Sequence, residues 1–138
     1  YQRSRRSDTV NVREAPGALR DIQAVVTAAL ARVGRREPTI WAACETLADA
    51  LPAQAADLRT LERAYRFMRY FRDTYSLSQT DDDPTLRNRL LSTAHRMGFE
   101  PDEIAGASGT APRLLRTYRY HRVRSQRAIA RIAAAIAP

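Results

Sequence analysis

The longest periodic stretch of the chain sets the first limit on its fold. Between residues 53 and 77, apolar side chains recur at the three- and four-residue steps of an α-helix. A helix over this stretch would be roughly 37 Å long, at about 1.5 Å per residue. One face would be apolar, with Phe71 or Arg72 continuing a stripe made by Leu58, Leu61, Tyr65, Met68 and Tyr75. Other helices must cover this stripe, so the pattern predicts a helical bundle.

Two shorter helices precede this stretch. Apolar spacing predicts the first from Ala18 to Val33, and Gly34 is a suitable left-handed terminator. The second is predicted over residues 39–51, where Pro38 marks its start and Pro52 its end. Before them, Val10 and Val12 alternate with polar residues, which permits a short strand.

Two more helices follow. Asp83 and Pro84 read as the cap and first residue of a fourth helix that ends at Gly98. A short helical turn is predicted over residues 101–105, and the last helix begins at Thr110 or Ala111. The linkers are only a few residues long, so neighbouring helices should be antiparallel. The prediction is an all-α bundle of five to six helices, mostly antiparallel. Residues 1–12 form a polar arm or a short strand remnant, and residues 13–138 form a single helical-bundle domain.

Length and composition limit the class of protein. The 138 residues, 44% of them hydrophobic, suit one folded domain. No apolar run reaches transmembrane length and no signal peptide is recognisable, which predicts a cytoplasmic protein without a membrane partner. The single cysteine, Cys44, fits a reducing compartment and a helical apolar setting, where it is expected to be a small core residue. The start at Tyr1 suggests a piece of a longer polypeptide.

The positive charge is unevenly distributed. The net charge is +8, and all 23 basic residues are arginine. Seven arginines and no acidic residue follow Glu103. Arginine-favouring codons explain the composition without a function, whereas phosphates or an acidic protein would explain the local excess. Spacing predicts an outward stripe on the last helix opposite the core residues Tyr118, Ser125, Ile129 and Ile132; its members are Arg113, Arg116, Arg124, Arg127 and Arg131.

The chain lacks the residue patterns of a metal site. His95 and His121 lie on different predicted helices, with no neighbouring cysteine or histidine pattern. Asp81 to Asp83 are consecutive, so their side chains diverge, and their place before Pro84 favours helix capping. We expect no metal ligand, no cofactor and no catalytic residue in this chain.

A Pro-Gly turn opens the first helix and combines unusual features. Asp21 in the first turn suits the positive end of the helix dipole, but Arg20 beside it does not. Residues 11–23 resemble the Lys-Glu-Gly-Pro-Gly-Gly-Leu-Arg-Asp segment of bacterial PII-uridylyltransferases. They also resemble the Gly-Gly-hydrophobic-Arg-Asp-Ile-Glu segment of glutamine synthetase adenylyltransferases. Where the families have consecutive glycines, this chain has Ala15 and Ala18 around Gly17. The added Cβ atoms limit how closely another group can approach the backbone.

Further segments resemble the same enzymes. Residues 64–69, Ala-Tyr-Arg-Phe-Met-Arg, are similar to the Ala-Tyr-Arg-Phe-Leu-Arg of the adenylyltransferases. Gln79-Thr80, Asp83-Pro84 and Met97-Gly98-Phe99 follow in the family's order. The similarity extends from about residue 10 to about residue 130, and it leaves open which of the two activities applies.

The resemblance implies a role within a nucleotidyltransferase. Such enzymes use a Gly-Ser turn and paired aspartates that hold Mg²⁺ and ATP or UTP. This chain lacks that arrangement, so it resembles the helical domain that follows the catalytic domain, and it should be inactive alone. The implied partners are the catalytic domain of the same parent chain and the target protein, glutamine synthetase or PII.

The resemblance also suggests where this chain meets the rest of the enzyme. It places four residues at the nucleotide pocket or at the domain interface: Glu14, Gly17, Arg20 and Asp21. The simpler interpretation is a capped helix with an ordinary surface ion pair. An alternative for the whole chain is a non-catalytic basic helical module that binds nucleic acid or an acidic protein; nucleic acid is disfavoured because no recognition-helix motif is present.

Overall fold

A computed structural model describes residues 12–77, 86–99 and 112–138. These residues form five α-helices and no strand: α1 (Leu19–Val33), α2 (Ile40–Ala50), α3 (Ala55–Leu77), α4 (Leu86–Arg96) and α5 (Pro112–Ile136). A 3₁₀ turn, Pro52–Gln54, joins α2 to α3. The all-α prediction is therefore confirmed. Val12 lies in a turn, and the division of the chain at residue 12 stays a prediction. Residues 1–11 of the predicted arm, the Asp83–Pro84 cap and the turn at 101–105 lie outside the described residues.

The ends of the first two helices follow from local sequence. Gly34 adopts φ 69° and ψ 31° and ends α1, where its N–H donates to the carbonyl of Ala31. The Thr39 hydroxyl caps α2 by accepting the N–H of Ala42 at 3.1 Å. Pro52 then forces the 3₁₀ turn before α3. The predicted terminators of α1 and α2 are thus confirmed.

The central pair of helices, α3 and α5, is antiparallel. Near the start of α3, Asp57 pairs with Arg131 late in α5. Further along α3, Phe67 stacks on His121 with ring centroids 4.7 Å apart. Phe71 then contacts Tyr118 edge to face at 5.6 Å. Partner numbers fall along α5 as they rise along α3, which fixes the opposite direction of the two helices.

The helices on either side of α3 along the chain are also antiparallel to it. Trp41 at the start of α2 contacts Tyr65 at 5.2 Å, while the short 3₁₀ turn joins the other ends of these helices. On the far side, the Arg89 guanidinium lies over the Tyr75 ring at 3.9 Å, and its Nε donates to the Tyr75 carbonyl at 2.8 Å. Later in α4, the carbonyl oxygen of Arg96 accepts a hydrogen bond from the hydroxyl of Tyr70, which lies earlier in α3 than Tyr75. Residue numbers thus rise along α4 as they fall along α3.

The inner faces of α3 and α5 form the core that was predicted. On α3, Leu61, Met68 and Phe71 are completely buried, while Tyr75 is half-buried. On α5, Tyr118, Ser125 and Ile132 are buried, and Ile129 is half-buried. Among the helices that the structure describes, none is both long and apolar enough to cross a membrane.

Cys44 belongs to this core. The residue is 2% exposed on the inner face of α2. Burial, and secondarily the negative charge of Glu62, raises the pKa of the Cys44 thiol to about 12. The thiol is therefore protonated at neutral pH, and its expected role as a small core residue fits this environment.

Candidate functional site

The turn before α1 is held by its own backbone. The first helical N–H groups, which would otherwise lack partners, donate to carbonyls of the turn. Leu19 N–H donates to the Val12 carbonyl at 3.1 Å, and Arg20 N–H donates to the Arg13 carbonyl at 2.8 Å. Ala18, which occupies the cap position, has no side-chain oxygen to contribute. In this conformation these two N–H groups cannot also bind a phosphate.

Asp21 completes the same turn. Its carboxylate accepts the N–H of Gly17 at 2.8 Å, so the side chain of the first helical turn reaches back to the residue before the cap. This contact places a negative charge at the positive end of α1. The position of Asp21 thus matches the capping interpretation.

Gly17 lies directly against the last helix. Its φ is +78°, and a Cβ placed on it would stand 2.5 Å from the carbonyl oxygen of Arg122 and 3.0 Å from Cβ of Gln126. Ala18, which follows this glycine, and Ala15, two residues before it, are buried as well. The close approach that glycine permits here is therefore made to α5.

Arg20 and Glu14 are the outward-facing members of the turn. Their side chains are 61% and 52% exposed, and their charged groups are 3.3 Å apart. An exposed pair of this kind contributes less than about 1 kcal/mol to folding. The turn therefore separates the four candidate residues: Gly17 and Asp21 secure the turn, whereas Glu14 and Arg20 present charge at the surface.

The outer face of α5 carries most of the predicted arginine stripe. Arg113, Arg116, Arg124 and Arg127 are exposed, on the side opposite the buried Tyr118 and Ser125. A shallow open groove runs along this face, and its lining residues are Arg116, Arg119, Tyr120, Val123, Arg124 and Arg127. We refer to these six residues as the α5 outer face.

Arg131 differs from the other members of the predicted stripe. Its guanidinium binds the Asp57 carboxylate at 3.0 Å, although its side chain is 62% exposed. Nε of Arg131 also donates to the same carboxylate at 3.1 Å. Arg131 thus joins α5 to α3, and its charge is already matched within the bundle.

Sequence spacing missed two members of the α5 outer face that carry chemistry. Arg119 lies three residues after Arg116, and Tyr120 lies four residues after it, so both share its side of the helix. The Arg124 guanidinium is 5.1 Å from the centroid of the Tyr120 ring. The signal that identifies both residues is the same three- and four-residue spacing that links Arg124 to Arg127, applied to the whole outer side of the helix and to aromatic as well as basic residues.

Packing against neighbouring side chains changes the pKa of His121, which lies on α5. Its ring stacks on Phe67 and meets Tyr120 edge to face at 5.4 Å. Burial, and secondarily the positive charge of Arg124, lowers the pKa of His121 below its ordinary value of 6.5. The folded bundle therefore favours the neutral imidazole.

This shift predicts a pH dependence of stability. As pH falls from about 7.5 to about 5, the unfolded chain binds a proton at residue 121 before the folded chain does, so the free energy of unfolding decreases. The His121 contribution is present above the unfolded pKa and is lost as pH falls through the folded pKa. The test is urea unfolding of the wild-type chain and His121→Gln across this range. The difference between their pH profiles isolates residue 121; parallel profiles would contradict the prediction.

The candidate metal ligands stay apart. Within residues 12–77, 86–99 and 112–138, no group of three or more His, Cys, Asp or Glu side chains is arranged to hold a metal ion. His95 lies on α4 and His121 on α5. The Asp81–Asp83 run, interpreted as a helix cap, lies outside the described residues.

Comparison with known proteins agrees with the sequence motifs. The family model of the GlnD PII-uridylyltransferase matches residues 1–132, nearly the whole chain. No curated protein and no solved structure matches it significantly. Of the two enzyme families that the motifs resemble, the match is to the uridylyltransferases. The chain therefore belongs to the GlnD PII-uridylyltransferase family.

Proposed function

We propose that this chain is a helical accessory domain of a nucleotidyltransferase that regulates nitrogen assimilation. It forms part of the active-site wall and offers a surface to the protein substrate, while the catalytic domain of the same parent chain carries out the transfer. The observation that carries the proposal is the geometry of the turn before α1. Hydrogen bonds within the turn fix its backbone, and the side chains of Glu14 and Arg20 face outward. Family membership supplies the reaction class.

The hydrogen bonds of the turn favour a domain interface over a phosphate cradle. The N–H groups of Gly17, Leu19 and Arg20 already have partners inside the turn. The charged groups that the turn exposes to a neighbour are the ion-paired Arg20 guanidinium and Glu14 carboxylate. In the proposal Arg20 contacts the catalytic domain at the edge of its nucleotide pocket, where a guanidinium can hold a carboxylate or a phosphate.

The remaining components belong to the parent enzyme. Mg²⁺ and UTP bind the catalytic domain, and the target is the PII protein in the cytoplasm. Adenylylation of glutamine synthetase from ATP is the second version of the same function, because residues 64–69 resemble the adenylyltransferases. Supplying UTP with PII and ATP with glutamine synthetase in parallel assays distinguishes the two versions.

The proposal predicts that Arg20→Gln in the full-length parent protein lowers kcat/KM for nucleotide transfer by about 10–100-fold. A hydrogen bond to a charged group contributes about 1.5–3 kcal/mol, and each 1.4 kcal/mol is tenfold in rate. The melting temperature should stay within about 1 °C, because an exposed pair contributes little to folding.

Arg72→Gln is the matched control. Arg72 forms an exposed ion pair with Asp73 at 3.2 Å on α3 and is not part of the turn. This variant should transfer nucleotide at the wild-type rate. Unchanged kcat/KM in Arg20→Gln, or an equal loss in both variants, would refute the role of the turn. A parent protein with no Gly-Ser and paired-aspartate segment would refute the catalytic setting altogether.

A further inference from the structure

Four arginines of the α5 outer face have no ion-pair partner among the residues that the structure describes. Arg131 is paired with Asp57, but none of Arg116, Arg119, Arg124 and Arg127 forms an ion pair with a carboxylate of the described residues. Arg116 and Arg119 are three residues apart, as are Arg124 and Arg127, so each pair lies on neighbouring turns of the same side of the helix. Like charges at this spacing repel each other. The arrangement therefore costs some helix stability, and an acidic ligand would relieve it.

The centre of this face is not purely charged. Tyr120 is 56% exposed, and Val123 lies one helical step beyond it. Two arginines precede these residues and two follow them along the groove. An apolar centre with a charged rim, rich in tyrosine and arginine, is the usual composition of a protein–protein interface.

The geometry of Tyr120 favours a protein over nucleic acid. Single-stranded nucleic acid binds basic surfaces by stacking bases on open aromatic rings. One face of the Tyr120 ring is covered by the Arg124 guanidinium at 5.1 Å, and His121 packs against the ring at 5.4 Å. A base could stack only on the uncovered face of the ring, and the α5 outer face holds no second aromatic ring on which a neighbouring base could continue the stack. The exposed side of Tyr120 instead suits contact with a single apolar side chain.

From the charge and the apolar centre together, we propose that the α5 outer face binds an acidic helical segment of a partner protein that carries an apolar side chain between its carboxylates. Arg116 and Arg119 hold carboxylates at one end of the groove, and Arg124 and Arg127 hold them at the other. Tyr120 and Val123 contact the apolar side chain. This surface shares no residue with the turn before α1, and its test needs no nucleotide transfer, so it can succeed or fail independently of the proposed function.

The test measures binding of the 138-residue chain to a defined probe, a helical peptide of Glu, Leu and Ala with Glu and Leu at helical spacing. We expect Arg116→Gln/Arg119→Gln/Arg127→Gln to weaken binding about tenfold or more, since several ion pairs are lost together. Tyr120→Ala should also weaken it. Affinity should fall as salt rises through about 0.1 M, where the Debye length is about 10 Å.

A second triple variant controls for net charge. Arg59, Arg63 and Arg69 are exposed on α3, and changing them to Gln also lowers the net charge from +8 by three to +5. This variant should bind the peptide within about twofold of wild type, since long-range attraction is screened and the groove is intact. Equal losses in both triple variants would overturn the proposal, because the attraction would then be non-specific. Tighter binding of an oligouridylate than of the peptide would also overturn it and assign the face to nucleic acid. Absence of peptide binding would leave a solvated arginine face and refute the proposal.

Discussion

Replacing Gly17 with alanine is expected to destabilise the bundle by about 2–5 kcal/mol. A left-handed φ of +78° costs an alanine about 1–2 kcal/mol. The new Cβ would also lie 2.5 Å from the Arg122 carbonyl oxygen, which is backbone and cannot rotate away. Forcing α1 and α5 apart to relieve this overlap adds about 1–3 kcal/mol. Urea unfolding of the wild-type chain and Gly17→Ala, followed by circular dichroism, measures the difference.

Gly34→Ala separates backbone strain from the helix contact. Gly34 has a similar φ of +69°, but a Cβ there meets nothing within 4 Å. This variant should lose only the conformational part, about 1–2 kcal/mol. Equal losses at the two positions would show that the turn does not press against α5. The contact assigned to Gly17 would then be wrong.

Helix ends and helix faces could be predicted because they depend on residues close in sequence. The left-handed conformation at Gly34 and the end of α2 before Pro52 each depend on residues within a few positions. Periodicity alone placed Leu61 and Met68 on the buried face of α3. Such local signals also gave the antiparallel pairing of α2 with α3 and of α3 with α4, because each pair is joined by a linker of only a few residues.

The parts that could not be predicted are contacts between residues far apart in sequence. The prediction for Gly17 was a place at the nucleotide pocket or the domain interface, and nothing in the local sequence indicated its contact with α5 at Arg122, more than a hundred residues later. Arg131 was placed in the outward stripe by spacing, but Asp57 binds it from α3. Periodicity tells which side of a helix faces outward, but only the packed bundle shows which outward residues meet a neighbouring helix.

The second large expected effect is the loss of a core side chain on the buried face of α3. Leu61→Ala is expected to destabilise the chain by about 2–5 kcal/mol, because Leu61 is completely buried in the middle of α3. The loss combines the transfer free energy of the deleted carbons with the cavity that remains, since helices on both sides of α3 limit collapse. Met68 is also completely buried and lies two helical turns further along α3. The loss of stability in Met68→Ala should therefore fall in the same range. Thermal and urea unfolding measure both.

Leu77→Ala provides the same chemical change on the same helix without the burial. Leu77 is 73% exposed at the end of α3, so its truncation should change the free energy of unfolding by no more than about 0.5 kcal/mol. A loss in Leu61→Ala below about 0.5 kcal/mol would mean that a different face of α3 forms the core. Because the aromatic contacts of Phe67 and Phe71 orient α5 against that face, such a result would also displace the outer face of α5 on which the acidic partner is proposed to bind.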